Sequence, residues 1–223
     1  MLKAILFGSI GTIVETSDLQ RDAFNAAFAE AGVPIRWSAE QYADLLLTSG
    51  GRKRIEAEAQ ARGLVVDATA LHSRKSQLFQ ERLAQGGLAL RPGVGEVISE
   101  ARARGLALGF VTTTSRANVD AILTAVSSRI SAQTFDFIGD ETMVEARKPA
   151  PDIFLRALHD LGIGPDSAVA IEDSPESVAA AVAAGVPTIA LPGAAHHDHY
   201  FDAMIPVTDR LTPALLGLAR AAA

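Results

Sequence analysis

The chain contains no cysteine, which excludes a disulfide framework and any thiol nucleophile. It carries no excess of positive charge: 20 Lys and Arg stand against 26 Asp and Glu, for a net charge of −6. Nucleic-acid and anionic-membrane partners usually call for a basic face, so neither is expected here. No apolar run is long enough to span a bilayer, and the N-terminal one lacks a signal-type cleavage pattern. The expected compartment is therefore the cytoplasm. Internal repeats are absent. The alanine-rich end at 221–223 is expected to be a frayed helix end. Tryptophan is limited to Trp37, which reads as a packing residue at a helix start. What remains is an ordinary globular composition, 48% hydrophobic and 21% charged, in 223 residues. That length suffices for one sizeable domain with a small insertion.

The most informative stretch is Leu2-Lys3-Ala4-Ile5-Leu6-Phe7-Gly8-Ser9-Ile10-Gly11-Thr12. A short apolar run ended by a glycine-containing turn predicts a buried parallel strand. Ligands of open α/β sheets bind at the carboxyl ends of such strands, so chemistry is expected just after Phe7. From about 18 to 87 the pattern is wholly helical. Leu19, Ala23, Phe24, Ala27 and Phe28 share one helix face, and further helices are expected at 38–47, 52–62 and 68–83. After Leu90-Arg91-Pro92-Gly93, helices alternate with apolar strands. Helices are expected at 94–104, from 117, at 152–161 and at 175–184, and strands at 106–111, 135–138, 168–171 and 188–191. This alternation predicts βαβ units on a mostly parallel sheet. The fold class is thus α/β, with a core of 1–16 and 88–223 and an all-helical insertion at 17–87. The crossings at 13–17 and 85–92 are expected hinges.

Four stretches, in order, resemble the motifs of the haloacid dehalogenase-like (HAD) hydrolases. In the first, apolar-apolar-apolar-Asp-x-Asp-Gly-Thr, Gly11 and Thr12 match, but Gly8 and Ile10 stand where the family has its two catalytic Asp. Phe110-Val111-Thr112-Thr113-Thr114-Ser115 resembles the second, with Thr112 at the phosphate-binding hydroxyl. Arg147-Lys148-Pro149-Ala150-Pro151-Asp152 resembles the third, with Lys148 offsetting phosphate and carboxylate charge. Ile171-Glu172-Asp173-Ser174 resembles the fourth, whose acidic residues hold Mg²⁺. There Asp173 matches the direct ligand and Glu172 its neighbour. Glu15-Thr16, Arg21, Ala23-Phe24-Asn25 and Gly50-Gly51-Arg52-Lys53-Arg54-Ile55 narrow the likeness to CbbY-like sugar-phosphate phosphatases and β-phosphoglucomutases. That resemblance implies a Rossmannoid core and a helical cap closing over substrate. It also implies a selecting loop at Gly51, Arg52 and Arg54, and a substrate-hydroxyl contact at Glu15. Arg can clamp phosphate in bidentate fashion, whereas Lys acts as a point charge.

The first Asp of the family attacks phosphorus and the second moves a proton. Gly8 has no side chain to attack or ligate, and Ile10 keeps only its carbonyl. Gln20 stands where related enzymes often carry a His, and an amide does no acid/base work at neutral pH. By analogy, removing a protease's nucleophile alone costs ~10⁶-fold in kcat. Standard aspartyl-phosphate catalysis is therefore expected to be absent, with a weakened Mg²⁺ site at Asp173 and Glu172. A phosphorylated small molecule is the expected ligand. Two alternatives stand beside this reading: a Mg²⁺-dependent phosphatase using a non-standard route, and a structural or regulatory partner-binding protein. Ser9 is an unpromising substitute nucleophile, since its side chain is expected to point away from the site and lacks a base. His196, His197 and His199 with Asp198 could ligate Zn²⁺ or Ni²⁺, but neighbouring side chains seldom converge on one ion. A solvated loop is expected there.

Overall fold

The computed structural model describes residues 1–8, 10–46, 50–196 and 201–218. A five-stranded parallel sheet runs in the order β3-β2-β1-β4-β5. Its strands are β1 (Ala4–Phe7), β2 (Ala107–Phe110), β3 (Phe137–Ile138), β4 (Ala168–Glu172) and β5 (Thr188–Ala190). β1 is central and buried throughout. A strand covered on both faces needs no polar residue, which explains its unbroken apolar run.

Side chains alternate across the pleat and divide the core into two layers. Ile5 and Phe7 join Leu108, Phe110 and Ile171 beneath α5 (Val94–Ala103) and α6 (Arg116–Ala125). Ala4 and Leu6 join Phe154, Ala157, Ala170 and Ala181 beneath α7 (Asp152–Leu161) and α8 (Pro175–Ala183). The alanines on that second face let α8 lie close to the sheet.

Between β1 and α5 lie α1 (Ser17–Glu30), α2 (Ala39–Leu45), α3 (Gly51–Ala61) and α4 (Ala68–Ala84). They enclose their own apolar cluster of Phe24, Phe28, Trp37, Tyr42, Ile55 and Leu71. Trp37 stands edge-on to Phe24 and Phe28, each centroid 4.9 Å away, a packing geometry aromatic quadrupoles favour. The helix ends follow local chemistry. Ser38 and Gln41 form a reciprocal capping box at α2, Asp67 caps α4 and Ser174 caps α8. Each satisfies amides that have no partner inside the helix.

Most expected elements are present with ends shifted by a residue or two. The third strand is the exception. It was expected from 135 but comprises Phe137–Ile138, because a 3-10 turn at Ala132–Thr134 precedes it and Phe135 turns in against Phe110. The expected helix 38–47 ends at Leu45, and its last position lies outside the described residues, as do Ser9 and the tail at 221–223. Among the described residues, no helix is long and apolar enough to cross a membrane.

Candidate functional site

The register of the sheet assembles the site. Phe7 of β1 pairs with Phe110 of β2 and with Ile171 of β4. The three strands therefore end within one residue of each other, with Glu172 the last residue of β4 and Gly8, Thr112 and Asp173 following within two residues of the ends. Backbone bonds hold the loops there: Gly8 N–H donates to Ile171 O at 2.9 Å and Val111 N–H to Phe7 O at 2.7 Å.

Lys148 reaches in from the loop before α7. Its ammonium donates to Val111 O at 3.1 Å and to Glu172 Oε1 at 2.5 Å, with both side chains buried. Glu172 Oε2, in contrast, is buried with no hydrogen-bond partner among the described residues. Burial raises the Glu172 carboxyl above its ordinary range, although Lys148 and the Asp173 amide oppose the shift. Asp173 Oδ1 accepts from Thr12 Oγ1 at 3.3 Å. Burial, and then the charge of Glu172, push the Asp173 carboxyl up to about 7. Part of Asp173's surface still reaches solvent. Thr112 is buried and its Oγ1 accepts from Thr114 N–H at 3.2 Å, leaving the hydroxyl proton to donate.

The positions at the end of β1 are tightly constrained. A Cβ built on Gly8 would overlap Glu172 Oε2 and lie 2.6 Å from Thr12 Oγ1 and 2.8 Å from Glu172 Cδ. The room left by the missing side chain is thus filled by the Glu172 carboxylate. Gly11, at φ +88°, abuts Asp173 in the same way, its built Cβ 2.5 Å from Cγ. Both a left-handed backbone and a close carboxylate require glycine there.

The two crossings into the helical layer run side by side. Val14 and Leu90 form an antiparallel bridge and Arg91 N–H donates to Ile13 O at 2.9 Å. The Arg91 guanidinium donates to Gly11 O at 2.5 Å, Leu191 O at 2.6 Å and Pro192 O at 2.7 Å, stapling the β1 and β5 loops together. Glu15 completes the tie: Oε1 accepts from Ser17 N–H at 2.9 Å and Oε2 from Ala194 N–H at 2.7 Å. Both oxygens of the expected substrate contact are therefore engaged by backbone amides.

Of the expected basic loop, only Arg54 turns inward, its guanidinium 5.9 Å from the Phe24 centroid and 5.8 Å from that of Tyr42. Arg52 is exposed and lies 3.7 Å from Glu56, and Lys53 is exposed. Gly51 packs against His72, with a built Cβ 2.7 Å from its ring. The sequence reading missed His72 and Lys75. Burial, then Lys75, Arg54, Arg147 and Arg52 in turn, lower the His72 imidazole to about 4. Arg147, which also pairs with Glu141, follows the 3-10 turn at Glu141–Met143, whereas Lys75, Arg54 and Arg52 lie on α3 and α4. Lys75 is buried, bonded to Gln20 Oε1, and burial lowers it to about 7. The signal was legible: Lys75 interrupts the apolar stripe Leu71, Leu78, Phe79 on α4.

The expectation of a solvated histidine loop fails at its first member. His196 is buried in a 3-10 turn, Ala194–His196, that touches α2. His197 and His199 lie outside the described residues. No group of three or more His, Cys, Asp or Glu able to hold a metal occurs among the described residues.

For a hard divalent cation such as Mg²⁺, the donor set fits in reduced form. The buried Glu172 carboxylate and the partly exposed Asp173 carboxylate are adjacent, the charge of Glu172 raises the Asp173 carboxyl, and Glu172 Oε2 has no partner among the described residues. Mg²⁺ is commonly held by one or two carboxylates with phosphate oxygens completing its shell.

Residues 2–185 match the haloacid dehalogenase-like hydrolase family. The chain is 42% identical over 194 residues to the protein CbbY of Rhodobacter capsulatus, covering 86% of each. The crystal structure of CbbY from Rhodobacter sphaeroides in complex with phosphate superposes with a TM-score of 0.86 at 38% identity, over 94% of this chain and 95% of that one. A mutant of that protein in complex with xylulose-(1,5)bisphosphate gives the same TM-score, 0.86.

Proposed function

The chain belongs to the haloacid dehalogenase-like hydrolase family, and from that premise we propose that it binds a phosphorylated sugar without turning it over. The observation that carries this reading is the pairing of Gly8 and Ile10 with an otherwise assembled set of strand-end groups. Thr112 and Lys148 are assigned to one phosphate. The Lys148 ammonium already offsets Glu172, and the Thr112 hydroxyl has its proton to spend on a phosphate oxygen. Asp173 and Glu172 would hold a divalent cation, which supplies charge neutralisation for the phosphate when bound. Ile10 offers a carbonyl but no proton carrier, so no group on β1 can form or protonate a covalent intermediate.

The helical layer at 17–87 acts in this reading as a cap over a core of 1–16 and 88–223. Arg54, turned inward against Phe24 and Tyr42, favours an anionic ligand on the helical side, with Gly51 and Arg52 beside it as the selecting loop. CbbY of R. sphaeroides was solved with a bisphosphate, and a sugar carrying two phosphates suits this arrangement: one at Lys148, one at the Arg54 side. His72 is neutral at physiological pH and adds a hydrogen-bonding group rather than charge. Glu15 is assigned to holding the hinge.

The test is isothermal titration with xylulose-(1,5)bisphosphate and Mg²⁺ alongside a phosphate-release assay. Saturable binding with no release above buffer is expected. Release that disappears in Asp173→Asn would establish a non-standard catalytic route instead. Absence of any heat or thermal shift would leave a protein-partner role as the better account.

A further inference from the structure

A buried amide joins the helical layer to the core. Helix α4 reaches both: Leu71 belongs to the aromatic cluster of the helical layer, whereas Leu78, Phe79 and Leu83 belong to the core cluster of Ile5, Val97 and Val119. Next to Phe79, Gln80 Nε2 donates to Asn118 Oδ1 on α6 at 3.0 Å. Asn118 Nδ2 donates in turn to Thr114 Oγ1 at 3.3 Å, and Thr114 N–H to Thr112 Oγ1 at 3.2 Å. Hydrogen bonds thus lead from α4 to the hydroxyl assigned to phosphate. Asn118 is only 6% exposed. An apolar side chain would fill that place without the cost of desolvating an amide, so packing alone does not account for it. What the amide adds is geometry: an apolar contact tolerates sliding, while a hydrogen bond weakens steeply once bent or stretched.

The loop that carries Thr112 is also tied to the first turn of α6 by its backbone. Ser115 Oγ accepts from Asn118 N–H at 3.4 Å, and on the other side Thr114 O accepts from Glu141 N–H at 2.9 Å. Helix α4 ends at Ala84, directly before the crossing at 85–92, so a rotation of the helical layer about that crossing shifts Gln80 against α6. We propose that Gln80 and Asn118 are positioning residues, through which the seating of α4 sets the Thr112 loop and with it the affinity for phosphate. This rests on the reading of Thr112 as a phosphate donor. By linkage, bound phosphate then steadies α4 to the same degree. Neither residue has to touch the ligand to act in this way.

Hydrogen exchange on the full chain, with inorganic phosphate as the probe, tests both directions. Without phosphate, Gln80→Met should speed exchange of amides 112–118 by about threefold or more and leave β1 and β4 unchanged. With saturating phosphate, wild-type amides at 78–84 should slow by about threefold. Gln80→Met and Asn118→Leu should each abolish that slowing and weaken phosphate binding about three- to tenfold. The double variant should bind phosphate no more weakly than the worse single variant, because the two residues form one chain of bonds. Gln80→Glu is the rescue: with its amide turned over, Asn118 donates to the new carboxylate and accepts from the Thr114 hydroxyl. Exchange at 112–118 without phosphate should then stay within about twofold of wild type. The proposal is overturned if Gln80→Met leaves 112–118 as in the wild type, if it speeds the whole chain evenly as a merely structural role would, or if the two single effects on affinity multiply. Should Asn118→Leu fail to fold, Gln80→Met and Gln80→Glu, both at a half-buried position, decide. A wild type that binds no phosphate defeats the binding reading of the site, while the phosphate-free exchange at 112–118 still upholds or refutes the link from α4.

Discussion

Replacing Lys75 by methionine removes a charge that the fold holds against its surroundings. The ammonium is buried, its ordinary value of 10.5 lowered to about 7 chiefly by burial and secondarily by Arg54. Taken alone, a displacement of that size corresponds to ~5 kcal/mol in favour of the neutral amine. Two aromatic faces offset part of it, with Nζ 4.7 Å from the Phe24 centroid and 5.0 Å from that of Phe79. Cation–π contacts in desolvated settings contribute ~1–2 kcal/mol each. The net penalty for carrying the charge is then ~2 kcal/mol. Because the folded value is depressed, the unfolded chain binds more protons between 7 and 10.5. The contribution to stability is present at high pH and is lost as pH falls toward 7. Wild-type unfolding free energy should therefore rise by ~1 kcal/mol between pH 7 and 9.5, and Lys75→Met should lack that rise. Tyr42, raised to about 12 by burial, acts oppositely only above pH 10, so the window stays clear of it. Methionine keeps the length and packs well on aromatic rings. It leaves Gln20 Oε1 without its donor, a pH-independent loss of ~1 kcal/mol. Urea titrations of both proteins at pH 7, 8, 9 and 9.5 supply the comparison. Parallel slopes would refute the argument, whatever the absolute stabilities.

Asp173 works in the opposite sense. Its carboxyl is raised from 3.8 to about 7, so its contribution is complete below pH 4 and is lost as pH rises through 7. In chelated buffer, Asp173 should contribute a fall of ~2 kcal/mol between pH 4.5 and 7.5, a figure reduced for partial exposure, which the lowered His72 imidazole opposes in the wild type over the same range. The difference in stability between wild type and Asp173→Asn, in which the His72 contribution cancels, should therefore fall by ~2 kcal/mol across that range in thermal unfolding. Gly93 tests backbone fit instead: at φ +82°, a built Cβ would overlap the Leu211 carbonyl oxygen and sit 2.6 Å from its carbon. Backbone cannot rotate away as a side chain can, so Gly93→Ala should cost ~3 kcal/mol or more, read as a drop in Tm.

The architecture was legible because its signals are local and repeated. Continuous apolar runs in β1 and β4 belong to strands covered on both faces, and Ser38, Asp67 and Ser174 each open a helix where their side chains cap it. The 3-10 turns at Glu141–Met143 and Pro165–Ser167 went unread, since three residues are too few to show a period. The shortened β3 was hidden for a related reason: Phe135 is as apolar as a strand residue, but it serves the core by packing edge-on to Phe110. Apolarity alone does not say whether a residue pairs or packs.

The strand-end residues were legible as an ordered set, but their mutual arrangement was not. Lys75 could have been noticed as a charge within an apolar stripe. His72 could not, because its surroundings come from α3 and from the core loop bearing Arg147. Gly8 shows the deeper limit. In the sequence it reads as a deletion, a nucleophile removed and nothing put back. A packed interior tolerates no such hole, since a void forfeits the contacts of everything that lines it. The long, flexible neighbour on β4 was available to fill this one, and a Glu172 side chain held only at Oε1 has the freedom to do so. The glycine at position 8 and the placement of Glu172 are consequently one structural feature, and introducing an aspartate at position 8 must shift the Glu172 carboxylate.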